Sequence, residues 1–167
     1  SLGMFSMQTD EFEEIPSTNF SVIRVSRDVF QRSVVGGIFV NKHEGSGQYN
    51  RTYGIDGNFS FLNHLDLTTF VLKTETPGLG NQDVAGNITV AWTDQRMELE
   101  GQYLEIGENF NPEVGFVPRV GMKKGRGRVT WTPRPGERIP WIREFRVLNW
   151  IDSINKTSGP LETRQME

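Results

Sequence analysis

Cysteine is absent from this chain, histidine occurs twice, and no long apolar run is present. Without thiols there is no disulfide framework and no thiolate metal site, and the redox compartment stays open. No uninterrupted apolar stretch approaches the ~18 residues of a transmembrane helix, and only 35% of residues are hydrophobic. That excludes a helical membrane protein but not a membrane β-barrel, whose strands are apolar only at every second position. A large excess of one charge sign is lacking too. The net charge of -3 gives no general electrostatic attraction to nucleic acid. At 167 residues the chain is long enough for a single domain with a core, spanning 1–167. It opens SLGMFSMQT, with no initiator methionine and no signal-peptide core, and closes LETRQME, which reads as the start of another strand. Both ends are therefore expected to cut through structure, as in an excerpt of a longer chain.

What is present is glycine, at 18 residues, and period-two alternation. The stretch YNRTYGIDGNFSF from Tyr49 to Phe61 shows it best. One set of alternate positions holds Tyr49, Arg51, Tyr53, Ile55, Gly57, Phe59 and Phe61. The other holds Asn50, Thr52, Gly54, Asp56, Asn58 and Ser60. As a strand this segment has an aromatic, apolar face and a polar one. Val84–Thr93 repeats the pattern, with Val84, Gly86, Ile88, Val90 and Trp92 opposing Ala85, Asn87, Thr89, Ala91 and Thr93. After a turn at Asp94-Gln95, Met97, Leu99, Gly101 and Tyr103 oppose Glu98, Glu100 and Gln102.

Further strands are expected over Ser1–Thr9, Thr18–Arg27, Ser33–Lys42, Leu65–Thr74, Val120–Thr132 and Trp141–Ile154. The faces of Thr18–Arg27 are not cleanly sorted. No segment carries the apolar period of an amphipathic helix. The expected fold is all-β: an antiparallel up-and-down meander of about nine or ten strands, forming a segment of an outer-membrane-type β-barrel.

Two features favour a barrel over a soluble sheet protein. Connections mostly alternate in length: long at 10–17, 75–83 and 107–119, intermediate at 43–48, short at 28–32, 62–64 and 94–95. Outer-membrane barrels have short turns at one end and longer loops at the other. The strands also approach the length a tilted strand needs to cross a bilayer. Aromatic residues Tyr49, Phe59, Phe61, Trp92, Tyr103 and Trp131 fall mostly toward strand ends, as interfacial girdles do. In this register the aromatic side of Tyr49–Phe61 meets lipid, and Arg51 is expected to snorkel to the headgroups. The polar positions Asn50, Thr52, Asp56, Asn58 and Ser60 then line a lumen.

Chemistry-bearing clusters are few. His43 and His64 fall in connections at opposite ends, which argues against a two-histidine metal site or a histidine triad. Glu98 and Glu100 share one strand face and cannot flank a scissile bond as a hydrolase pair would; they are candidates for lumen lining. Lys124, Arg126 and Arg128 on the next strand could meet them as a charge ladder. The run RVGMKKGRGR lacks the interleaved aromatics of a nucleic-acid site, and a basic lumenal stripe fits it better. Asp10, Glu11, Glu13 and Glu14 match no calcium loop. Triplets at Asn50, Asn58 and Asn87 fall inside strands and read as polar lumen positions, not glycan acceptors. No phosphate loop or serine elbow occurs. These residues point to no enzyme, no cofactor and no nucleic-acid partner.

The loop GENFNPEVGFVPR at Gly107–Arg119 is the most specific stretch. Together with TNFSVIRVSRD, YNRTYG and KTETPG it resembles the C-terminal region of a bacterial outer-membrane family. Those proteins join an N-terminal domain similar to family 9 carbohydrate-binding modules to a long barrel domain of unknown function. The resemblance implies a bacterial outer-membrane location, lipid as partner, and a link to carbohydrate through a module not in this sequence. It supplies no catalytic residues. The alternative is a soluble all-β glycan-binding module, in which Tyr53, Ile55, Phe59, Val90 and Leu99 would pack into an enclosed core. The membrane reading exposes the same side chains.

Overall fold

A computed structural model describes residues 1–13, 15–134, 141, 143–157 and 161–166. Its regular structure is entirely β among these residues. Ten strands run in chain order: β1 Leu2–Thr9, β2 Thr18–Val29, β3 Ser33–Glu44, β4 Tyr49–Phe61, β5 Leu65–Glu75, β6 Val84–Thr93, β7 Met97–Ile106, β8 Met122–Trp131, β9 Val147–Lys156 and β10 Leu161–Met166. Each pairs antiparallel with the next, giving one ten-stranded meander. β1 and β10 remain the outer edges, so the sheet is open.

Period-two sequence explains the central strands. β4 and β6 have the bounds their alternation implies. The hairpin between β4 and β5 turns through Leu62 and Asn63, both at positive φ (54° and 58°), closed by a bond from the His64 N–H to the Phe61 carbonyl. Positive φ at both central residues matches the right-handed twist of the flanking strands.

Several boundaries differ from expectation. β2 continues to Val29 and β3 to Glu44, because cross-strand pairing holds polar residues that local propensity assigns to turns. His43 therefore lies in a strand and not in a loop. β7 reaches Ile106, the third long connection runs from 107 to 121, and β8 begins at Met122. β9 starts at Val147 and not at Trp141. Of the proline-rich turn Pro133–Pro140, residues 135–140 lie outside the described residues, as does Glu14 of the acidic loop. The connection from 132 to 146 joins the strand ends that otherwise carry short turns, so the alternation of loop lengths stops after β8.

Ladder registers define two faces across the sheet. One holds Asn50, Thr52, Asp56, Thr74, Ala85, Gln102, Glu100, Arg126 and Asp152; the other holds Tyr53, Ile55, Val71, Ile88, Val90, Leu99 and Val129. Their burial is the reverse of an ordinary soluble sheet. Asn50 and Thr74 are each 1% exposed, whereas Ile55 is 68% exposed. Tyr53, Val90 and Leu99 are exposed as well, and Phe59 is half-buried, its ring folded over Gly57. Polar side chains converge and apolar ones splay, as a sheet curled toward its polar side would have them.

The buried apolar cluster also lies on the polar side. Ala85, Ile106 and Met122 stand in one cross-strand row, flanked by Leu72, Leu104 and Ile154, and Phe110 from the 107–121 loop closes over them. The sheltered face is thus not polar throughout: its end beside the long loops is dry.

Gly107 starts that loop where the chain passes β6. A Cβ there would lie 1.9 Å from the Gln82 carbonyl oxygen, a backbone atom that cannot step aside. Gly107→Ala is expected to lower folding stability by about 1–3 kcal/mol through overpacking. At Gly101 an added Cβ meets nothing within 4 Å, so Gly101→Ala is expected to shift stability by less than about 0.5 kcal/mol. Denaturant midpoints of the two variants check this.

Candidate functional site

The sheltered face carries two neighbouring structures: a latch under the 107–121 loop, and a row of charges on β7, β8 and β9. The latch is built around Asn50. Its amide nitrogen donates to the Asn111 carbonyl and the Thr76 hydroxyl, each at 2.7 Å. Its amide oxygen accepts from the Glu113 N–H at 3.3 Å. Beside it, the Thr74 hydroxyl accepts from the Asn111 N–H at 3.1 Å and faces the Asp83 carbonyl at 3.3 Å. Burying these polar groups is tolerable because loop backbone supplies the partners water would otherwise provide. Lys42 extends the latch to β3, bridging Glu113 at 2.8 Å and Glu44 at 2.7 Å. At the near end Asn109 donates to the carbonyls of Gly80 and Asn81, and its N–H bonds the Gln82 carbonyl.

The charge row begins at β7. Glu100 stands opposite Arg128 in the ladder and pairs with it at 3.5 Å, while Glu98 stands opposite Thr130. Lys124 and Arg126 lie on the same face but turn the other way, to Asp152 on β9, at 3.6 and 2.8 Å. The expected ladder is therefore present as one β7–β8 rung, with Asp152 serving the remaining cations. Arg128 takes Glu100 Oε2, Lys124 and Arg126 share Asp152 Oδ2, and Asp152 Oδ1 is buried without a partner. A recess of about 340 Å³ opens here, lined by Glu100, Arg126, Arg128, Leu148, Trp150 and Asp152.

The remaining candidates on β4 sit on the same face. Asp56 pairs with Arg24 at 2.8 Å across the intervening β3, and Gly36 leaves the room: a Cβ there would meet the Asp56 carboxylate at 2.8 Å and the Arg24 guanidinium at 3.0 Å. Asn58 accepts from Thr68, and the Ser60 hydroxyl donates to Asp66. Thr52 is buried beside Asn50, so these two hold the loop end of the face while Asp56, Asn58 and Ser60 lie further down. Arg51, on the other face, is half-buried with its guanidinium 4.5 Å from the Tyr49 ring centroid. His64 is at the turn end, its Nδ1 2.8 Å from the Thr93 carbonyl, far along the strands from His43.

Sequence reasoning missed Asp152, Arg24, Thr74, Phe110 and Glu113. Asp152 had a signal, since Trp150, Asp152 and Ile154 share one strand face. Arg24 had a weaker one, on a strand whose faces are mixed. The latch had none, because no spacing rule links Asn50 to Glu113. Among the described residues no cluster of His, Cys, Asp or Glu suits a metal ion.

The difference between the two charge sites gives a prediction. Asp152 is 13% exposed and serves Arg126 and Lys124 together. Asp152→Asn is expected to cost about 1–3 kcal/mol, as loss of a charged hydrogen-bond acceptor does. Glu100→Gln breaks a more exposed pair and should cost less than about 1 kcal/mol. Chemical unfolding of both variants measures the contrast; equal costs would contradict it. Comparison of the chain with protein-family models, curated proteins and solved structures finds no match.

Proposed function

We propose that this chain forms a sector of an outer-membrane β-barrel, with its apolar face against lipid and its sheltered polar face along a solute path. The observation that carries the reading is the inverted burial, with Ile55 at 68% and Asn50 at 1% exposure on one strand. Soluble monomers do not leave so continuous an apolar face to water. Strands β2 to β9 run 10 to 13 residues, enough to cross a bilayer when tilted.

The lipid-side side chains support it by their order along the strands. At the loop end, the Tyr49 and Tyr53 hydroxyls donate to Glu75, and Tyr103 donates to Glu105, which also pairs with Lys123 at 3.2 Å. At the turn end stand Phe61, Trp92 and Trp131, with the His64 ring tilted 31° to that of Trp92 at 5.6 Å between centroids. Such amphipathic rings suit the headgroup level at both interfaces. Between them Gly101 faces Gly127 in register, flooring an apolar trough of about 750 Å³ walled by Val90, Trp92, Leu99 and Val129. An acyl chain fills such a trough without needing a hydrogen bond.

The open edges of β1 and β10 belong to this reading. Unpaired backbone N–H and C=O groups are costly in hydrocarbon, so in a closed barrel both edges must be paired. The role is a pore, transport or anchoring one, with a link to carbohydrate resting on the family resemblance alone.

Membrane fractionation and heat-modifiable gel migration of the full-length protein test the location. Ile55→Lys gives a sharper test, because Ile55 lies midway along β4. In a bilayer the substitution should cost about 2–4 kcal/mol of stability. In a soluble sheet protein with this face in water, it would be neutral and raise solubility, and that outcome would sink the reading.

A further inference from the structure

We infer that the 107–121 loop is a fixed constriction across one end of the sheltered face, and that it sets the size limit of what passes. The inference rests on the membrane-barrel reading and adds a filter to it. Three anchors spaced along the loop carry it. Asn109 is tied to the Gly80 and Asn81 carbonyls beside β6. Phe110 is 3% exposed and seated on Ala85, Ile106 and Met122, with Ile154 of β9 packed against the same cluster. Glu113 reaches β3 through Lys42. Between Ile154 and Lys42 the loop therefore touches the inner side of the sheet from β9 to β3. A surface loop arching into solvent would make none of these contacts.

The anchors are also of a kind that resists displacement. Lifting the segment would take from Asn50 its bonds to the Asn111 carbonyl and the Glu113 N–H, leaving its buried amide oxygen without the acceptor role it now fills, and would expose Phe110. Gly107 allows the tight entry, and Gly121, at a φ of 67°, the exit. A mobile lid needs weak contacts that exchange easily, and this segment has the opposite. A size filter also needs no specific ligand chemistry, which agrees with an inner face whose charges are largely paired among themselves.

The test uses the full-length protein in planar bilayers, with polyethylene glycols of graded size as probes. Replacing residues 109–113 with a glycine-serine link should raise single-channel conductance at least about twofold and admit larger polymers. Asn50→Ala keeps the whole loop and removes the two bonds from the Asn50 side chain to the backbone of Asn111 and Glu113. It should add open-state current noise, because the loop gains freedom where those bonds are lost. Heat-modifiable migration shows that each variant is folded. A folded, inserted loop variant with the parent's conductance and polymer cut-off overturns the inference, as does one that stays closed. A parent protein found only in the soluble fraction overturns the membrane reading itself.

Discussion

Strand register is the constraint on which the rest of this structure depends. Antiparallel pairing sets Ile55 opposite Gly37 and Val71, and Asp56 opposite Gly36 and Phe70. A slip of one residue would send every apolar side chain of β4 to the sheltered face and every polar one to the other. It would also separate Asp56 from the gap at Gly36 through which it reaches Arg24, and Asn50 from the row shared with Lys42. The Leu62–Asn63 turn pins this register at one end, and the loop bound to Asn50 pins it at the other. A sheet whose faces differ this much has little freedom to pair in any other way.

Given that register, the sheltered face must satisfy its polar groups locally. It does so in two ways. Near the loop end the backbone of 111–113 provides partners for Asn50 and Thr74, while Phe110 keeps water from the apolar row beneath. Further from it, side chains answer one another: Arg24 to Asp56, Thr68 to Asn58, Ser60 to Asp66, Arg128 to Glu100. The first arrangement is dry and rigid, the second wet and individually weak. Asp152 stands between these regimes, sheltered enough for one oxygen to lack a partner yet shared by two cations.

The splayed face follows a simpler rule, since its apolar side chains make no demand for hydrogen bonds. Its charged side chains stand toward the ends, and the Thr69 hydroxyl midway along β5 donates to the Asn87 carbonyl. Tyrosine hydroxyls meet Glu75 and Glu105 at one rim, and His64 lies against Trp92 at the other. Gly57 and Gly127 let a neighbouring ring and methyl group lie over the backbone, Phe59 at Gly57 and Ile151 at Gly127.

The sequence by itself determined the class of fold, the faces of β4, β6 and β7, the Leu62–Asn63–His64 turn and the position of the long loop after β7. These follow from short-range rules, because alternation and turn chemistry act over two to four residues. Strand ends were less legible at β2, β3 and β9, where pairing with a neighbour overrides local propensity. Only the tertiary structure decided that the most distinctive stretch, Gly107–Arg119, folds inward onto Asn50, Thr74 and Lys42. The same holds for the choice of Asp152 over Glu98 as the partner of Lys124 and Arg126. Those contacts join residues dozens of positions apart through a sheet whose curl brings them together, and nothing in their local sequence records the distance between them.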